Sequence, residues 1–177
     1  VPLAHIGLCL IGEGTVVYKE VEMSSKEAFE KEGLQPVMLQ AKEGLALING
    51  TQLMSALGCL FVYDGEQLLK HAQIAGALSL EALKGTNLAF RKEIHQLRPH
   101  KGQMKCAKNL WRLTQDSKIH ESHLDCGKVQ DAYTLRCMPQ VFGASKDVFS
   151  FVKKVLETEI NSVTDNPVVL PDSKESL

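Results

Sequence analysis

Residues 52–83 read QLMSALGCLFVYDGEQLLKHAQIAGALSLEAL. The stretch holds no proline, and Leu53, Leu57, Leu60, Phe61, Leu68, Ala72 and Ala75 recur at helical steps along one face. That pattern predicts one helix of about thirty residues, far beyond the mean of about 11–12 in globular proteins. Ser55, Ala56, Gly58, Cys59, Ala72, Ala75, Gly76 and Ala77 keep its surface small. Small side chains let neighbouring helices approach closely, so this helix belongs at the centre of a bundle and needs partners to bury it. Thr51 is the expected N-cap, and Gly85 the stop.

Downstream, residues 86–99 predict a shorter helix closing at Pro99, and Met104 to Thr114 another. Residues 115–127 are polar and read as a loop. A helical turn is expected from Gln130 to Arg136, then Pro139. The last helix is expected from Ala144 to Val163, with Val148, Phe151, Val152, Val155, Leu156 and Ile160 as its apolar face. Upstream, Ala41 to Ile48 reads as helix. Thr15-Val16-Val17-Tyr18 and Val21-Glu22-Met23 predict a small hairpin turning at Lys19-Glu20. Ser24 with Glu27 fits a capping box, and Gly33 ends the short helix it starts. The fold class expected is mainly α: long antiparallel helices with one hairpin near residues 15–23.

The chain has 177 residues, which is one domain or a piece of a larger one. Twenty Lys and Arg stand against 21 Asp and Glu, so no bulk charge draws it to nucleic acid or anionic lipid. The apolar opening Val1 to Gly12 is too short to span a bilayer, so neither a membrane nor a nucleic-acid partner is expected. Five cysteines, an odd number without a Cys-x-x-Cys pair, suit reduced thiols and a cytoplasmic location. The chain begins at Val1 inside an apolar run and reads like the middle of something longer.

Four clusters bear on chemistry. His120, His123 and Cys126 stand at zinc-like steps of three, but no fourth ligand lies at finger-like spacing, so no metal is expected. Trp111 with Lys105, Lys108 and Arg112 reads as a half-buried Trp on a basic helix face. Asn49-Gly50-Thr51-Gln52 interrupts apolar helix, and a polar amide at such a break is costly unless satisfied or used. Gln130, Tyr133 and Arg136 stand at i, i+3 and i+6. On a helix they would form a strip able to hold a carboxylate: Arg by a planar fork, the others by hydrogen bonds. The bland alternative is an exposed helix end with an ordinary Arg and a half-buried Tyr.

Five blocks, in order, carry a resemblance. They are Val1-Pro2-Leu3-Ala4-His5; Glu43-Gly44-Leu45-Ala46-Leu47-Ile48-Asn49-Gly50-Thr51-Gln52; Leu97-Arg98-Pro99-His100 with Gly102-Gln103; Val129-Gln130-Asp131 through Arg136-Cys137-Met138-Pro139-Gln140; and Glu159 through Pro167. The chain resembles the aromatic amino acid lyase family nearly end to end, on its histidine branch. The resemblance implies an ammonia-lyase eliminating ammonia from L-histidine to give trans-urocanate, the first step of histidine catabolism. It implies the electrophile 4-methylideneimidazol-5-one, formed from an Ala-Ser-Gly tripeptide expected just before Val1.

By the same resemblance, Arg136 pairs with the substrate carboxylate. Asn49 bonds near the electrophile's carbonyl and the substrate. Gln130 and Tyr133 complete the network, with Tyr133 near the electrophile. Asn161 matches a family motif residue, and no chemical role is assigned to it. The 177 residues are then a single segment of the central helical lyase domain of a longer chain, inactive alone, whose parent forms a homotetramer with shared active sites. The rivals are a phenylalanine or tyrosine ammonia-lyase or aminomutase, a non-catalytic helical oligomerisation module, and a zinc-binding helical protein using His120, His123 and Cys126.

Overall fold

The computed structural model describes residues 1–177. Its helices are α1 Pro2–Leu10, α2 Ser25–Glu32, α3 Glu43–Ile48, α4 Gln52–Ala82, α5 Lys92–Gln96, α6 Lys101–Thr114, α7 Lys118–Glu121, α8 Tyr133–Arg136 and α9 Met138–Glu159. Two antiparallel pairs complete it: β1 Thr15–Tyr18 with β2 Val21–Ser24, and β3 Val169–Leu170 with β4 Glu175–Ser176. The chain is mainly α, as expected. It divides into two compact units, Val1–Gly58 with Leu156–Leu177, and Cys59–Val155.

In the first unit the hairpin turns on Lys19 and Glu20, with φ of 49° and 67°. Positive φ at both central residues matches the twist of the flanking strands. Ser24 caps α2 by accepting from the Glu27 N–H at 3.2 Å, and Gly33 closes it in the left-handed conformation at φ 66°. Near the start of α4, a Cβ on Gly58 would meet the Leu156 side chain at 2.9 Å.

In the second unit the same device repeats. A Cβ on Gly65 would fall into the Phe149 ring, and one on Gly76 would lie 2.5 Å from the Met138 sulfur. Glycines 65 and 76 thus let α9 lie antiparallel along this part of α4. The core is Ala77, Leu80, Phe90, Leu110 and Met138, with Trp111 and Phe142 packed at its edge. Leu80, Phe90 and Leu110 are almost fully buried; removing any of them from water is worth about 1.5–3 kcal/mol.

The structure corrects several expectations. Residues 86–99 are a 3-10 turn, Asn87–Phe90, and then α5, broken at Arg91 with ψ 134°. His95 causes the break: its ring N–H donates to the Ala89 carbonyl at 3.0 Å, where a continuous helix would donate a backbone amide. The turn near 130–136 is helical only from Tyr133. The last helix starts at Met138, not Ala144, because Pro139 sits in its first turn, where no N–H is needed. It ends at Glu159 rather than Val163. Residues 115–127 contain the short α7. The Thr51 hydroxyl caps nothing in α4; it donates to Glu159 Oε1 at 2.6 Å.

By length and composition, residues 43–82 include a window apolar enough to cross a bilayer, whereas the expectation of no membrane partner rested on the short run Val1 to Gly12. Within the second unit α4 nevertheless has polar protein partners: Glu66 pairs with Lys153 at 3.8 Å, and Gln73 accepts from the Asn109 amide at 3.1 Å.

Candidate functional site

Asn49 ends α3 in an extended conformation, φ −106° and ψ 95°. Its half-buried side chain is held by the run after α9: Asn49 Nδ2 donates to Asn166 Oδ1 at 2.8 Å. Neighbours on both segments join in. Lys42 pairs with Asp165 at 2.6 Å, and the Thr51 N–H reaches Thr164 Oγ1 at 3.5 Å. Gly50 is needed for this approach, since a Cβ there would lie 2.8 Å from Thr164 Oγ1. The helix break is therefore a stitched junction, and Asn49 keeps its carbonyl and one N–H for other use.

Tyr133 and Arg136 lie in the other unit, on α8. They come together: the guanidinium carbon is 5.6 Å from the Tyr133 ring centroid. Arg136 Nε donates to the Asp131 carbonyl at 2.9 Å. Tyr133 is 71% exposed, and its hydroxyl has no partner within the chain. Gln130 is the exception among the expected residues. It is exposed and precedes the helix, so the shared strip with Tyr133 does not form. Ala132 begins α8 at φ −53° and ψ 143°, which leaves Gln130 outside the helical repeat.

Tyr133 lines a groove of about 400 Å3 with Arg98, His100, Cys137, Gln140 and Asp147. Beneath it runs a relay of side chains. Arg98 donates to Gln103 Oε1 at 2.8 Å, Gln103 Nε2 donates to His95 Nδ1 at 2.9 Å, and His95 Nε2–H donates to Ala89 O. The amide donor at Nδ1 and the carbonyl acceptor at Nε2 fix the His95 tautomer. Gln140 Oε1 is buried without a partner.

Elsewhere, both ring nitrogens of His123 lie against backbone carbonyls, Ile119 O and Gly85 O. No three His, Cys, Asp or Glu side chains converge to hold a metal. A cavity of about 780 Å3 between Phe90, Met104, Lys108 and Trp111 contains none of the expected site residues. Asn161 donates to the Glu157 carbonyl at 2.7 Å, a local bond at the end of α9.

Two residues escaped sequence reasoning. Asp131 sits inside a quoted block, yet only the fold brings its carboxylate to the Thr86 N–H, at 2.6 Å. Asn166 lies 117 positions from Asn49, and no spacing rule links them.

The model of the family described as "Aromatic amino acid lyase" matches residues 1–177. Among curated relatives, a histidine ammonia-lyase of Koribacter versatilis is 52% identical over 174 residues, 98% of this chain and 34% of its own. One of Myxococcus xanthus is 51% identical over 173 residues, again 98% and 34%. Among solved structures, the phenylalanine aminomutase of Pantoea agglomerans superposes at TM-score 0.91 with 35% identity, covering 99% of this chain and 37% of that one. The histidine ammonia-lyase of Trypanosoma cruzi gives 0.85 with 40% identity, covering 99% and 32%. The chain spans about a third of the length of the curated relatives it matches.

Proposed function

The chain belongs to the aromatic amino acid lyase family, and from that premise we propose that it is part of a histidine ammonia-lyase, which removes ammonia from L-histidine without oxidation to give trans-urocanate. The observation that carries the branch is identity: about half the residues match proteins named histidine ammonia-lyase. The aminomutase structures superpose as well, but at 35% identity, which favours the phenylalanine and tyrosine alternatives less.

The carboxylate of the amino acid goes to Arg136. Its charge-assisted bonds are about twice as strong as neutral ones, and its fork fixes orientation as well as charge. By the family resemblance Asn49 bonds near the electrophile's carbonyl and the substrate, with its one free N–H as donor and its side-chain carbonyl as acceptor. Tyr133 contributes an unpartnered hydroxyl. Gln130, exposed and off the helix, adds one neutral bond.

The Tyr133 hydroxyl fits the family's 4-methylideneimidazol-5-one in its chemistry, since a phenol O–H can donate to an imidazolone carbonyl. That group would supply the electrophile. The chain's own residues bind and orient the substrate, which lowers the barrier by holding the reacting groups in place.

We place the parent protein in the cytoplasm as a homotetramer without membrane or nucleic-acid partners. All five thiols are free, which suits a reducing compartment. Leu57, Leu60, Phe61 and Leu68 on α4, and Phe151 on α9, are more than half exposed and supply apolar surface for association.

The test is the full-length protein assayed with histidine, phenylalanine and tyrosine. Urocanate from histidine, with no cinnamate or coumarate from the others, supports the reading. Turnover of phenylalanine or tyrosine alone overturns it.

A further inference from the structure

Asp131 is held at two points. The residue is 9% exposed, and its carboxylate accepts from the Thr86 N–H at 2.6 Å. Its carbonyl accepts from Arg136 Nε at 2.9 Å. Gly85 makes the first contact possible: a Cβ there would lie 2.6 Å from Leu80 and 3.2 Å from Asp131 Oδ2. The second contact closes one edge of the guanidinium. A planar fork can grip a carboxylate side-on through Nε and one Nη, or end-on through both Nη groups. With Nε engaged by the chain's own carbonyl, the end-on edge remains, and the Tyr133 ring lies beside the group.

The four residues of α8 cannot aim this group unaided. The helix has no side-chain cap, and one turn is not stable by itself. What registers it against the core is the Asp131 side chain on the amide just beyond α4. We propose that Asp131 is the positioning residue that aims Arg136 for end-on capture of the substrate's α-carboxylate, an inference that rests on the carboxylate-binding reading of Arg136.

The experiment uses the full-length enzyme and two competitive ligands: trans-urocanate, which has a carboxylate, and imidazole, which has none. Arg136→Ala comes first. It is expected to raise the inhibition constant of urocanate and leave that of imidazole unchanged; an unchanged urocanate constant refutes the carboxylate reading itself and takes the proposal with it. Given that reading, Asp131→Ala is expected to weaken urocanate about tenfold with imidazole within about twofold, the selective loss that a misaimed fork produces. Asp131→Asn keeps an acceptor for Thr86 and is expected to restore near-normal urocanate binding. The proposal is overturned if Asp131→Ala leaves urocanate unchanged, or weakens both ligands equally. Should Asp131→Ala fail to assemble, Asp131→Glu decides. Its longer arm displaces the residue 131 carbonyl, so selective weakening of urocanate supports the proposal and wild-type binding refutes it.

Discussion

The side-chain amide of Asn49 donates to Asn166 Oδ1 at 2.8 Å, joining residues 117 positions apart. With Lys42–Asp165 and Thr51–Glu159 beside it, this bond makes the α3–α4 break a defined corner instead of a frayed helix end.

Asn166→Ala in the full-length enzyme releases the Asn49 amide to rotate. We expect kcat/KM for histidine to fall about three- to tenfold, as for loss of one neutral hydrogen bond. Asn166→Asp keeps the acceptor and should recover most of it. Steady-state urocanate production by the two variants checks this; equal activity of Asn166→Ala and wild type counts against a role for the bond.

Arg136→Lys keeps the charge and loses the planar fork. We expect kcat/KM to fall at least about a hundredfold, since a charge-assisted bond is worth about 1.5–3 kcal/mol and misplacement adds to it. Gln130→Ala should cost about tenfold at most, because its contribution is one neutral bond of about 0.5–1.5 kcal/mol. Melting temperature and oligomeric state, read alongside the kinetics, separate loss of chemistry from loss of assembly.

Gly143 is where α6 and α9 touch backbone to backbone: a Cβ there would collide with the Gln103 main chain. Gly143→Ala should therefore destabilise the fold by about 1–3 kcal/mol despite the better helix former. Gly127 has nothing within 4 Å of an added Cβ, so Gly127→Ala is the neutral control. Thermal denaturation of both variants decides; equal melting temperatures would mean that the helices separate freely.

Burial pushes the Cys106 thiol up from its ordinary value near 9.0. Iodoacetamide at about pH 8 should leave Cys106 unmodified in the native protein and alkylate it after denaturation. Above about pH 9 the unfolded chain ionises this thiol while the folded one holds its proton, so the native state binds more protons and stability falls as pH rises. Cys106→Ala should remove that part of the alkaline slope. Labelling followed by peptide mass mapping, and melting curves across the alkaline range, test the two halves separately.

The long helix α4, the hairpin and the Ser24 cap were legible because each depends on neighbours in sequence: a helical period, two β-forming runs, a hydroxyl three residues before its amide. The break at Arg91 was not, since no Gly or Pro marks it and the cause is His95 taking the Ala89 carbonyl with Gln103 behind it. The identities of Tyr133 and Arg136 were legible through the quoted blocks, and the structure pairs them. The helical strip reaching back to Gln130 failed because Asp131 is drawn to Thr86, holding the chain extended until Ala132. Periodicity assumes that a helix begins where its pattern does, and a tertiary hydrogen bond can delay the start.

The four residues that follow α4 are gripped through their main chain. Lys128 reaches the Leu83 and Lys84 carbonyls at 3.0 and 3.5 Å, His123 takes the Gly85 carbonyl at 3.2 Å, and Asp131 takes the Thr86 amide. Those gripped atoms are common to nearly every amino acid, and the Leu83 and Lys84 side chains face solvent. Sequence drift at 83 and 84 therefore leaves the anchorage of residues 123–131 intact, whereas drift at the three gripping positions does not. In a saturation library the tolerant and intolerant positions would separate along this line: positions 83 and 84 permissive, the three gripping positions and Gly85 restricted, although all of them lie outside long helices.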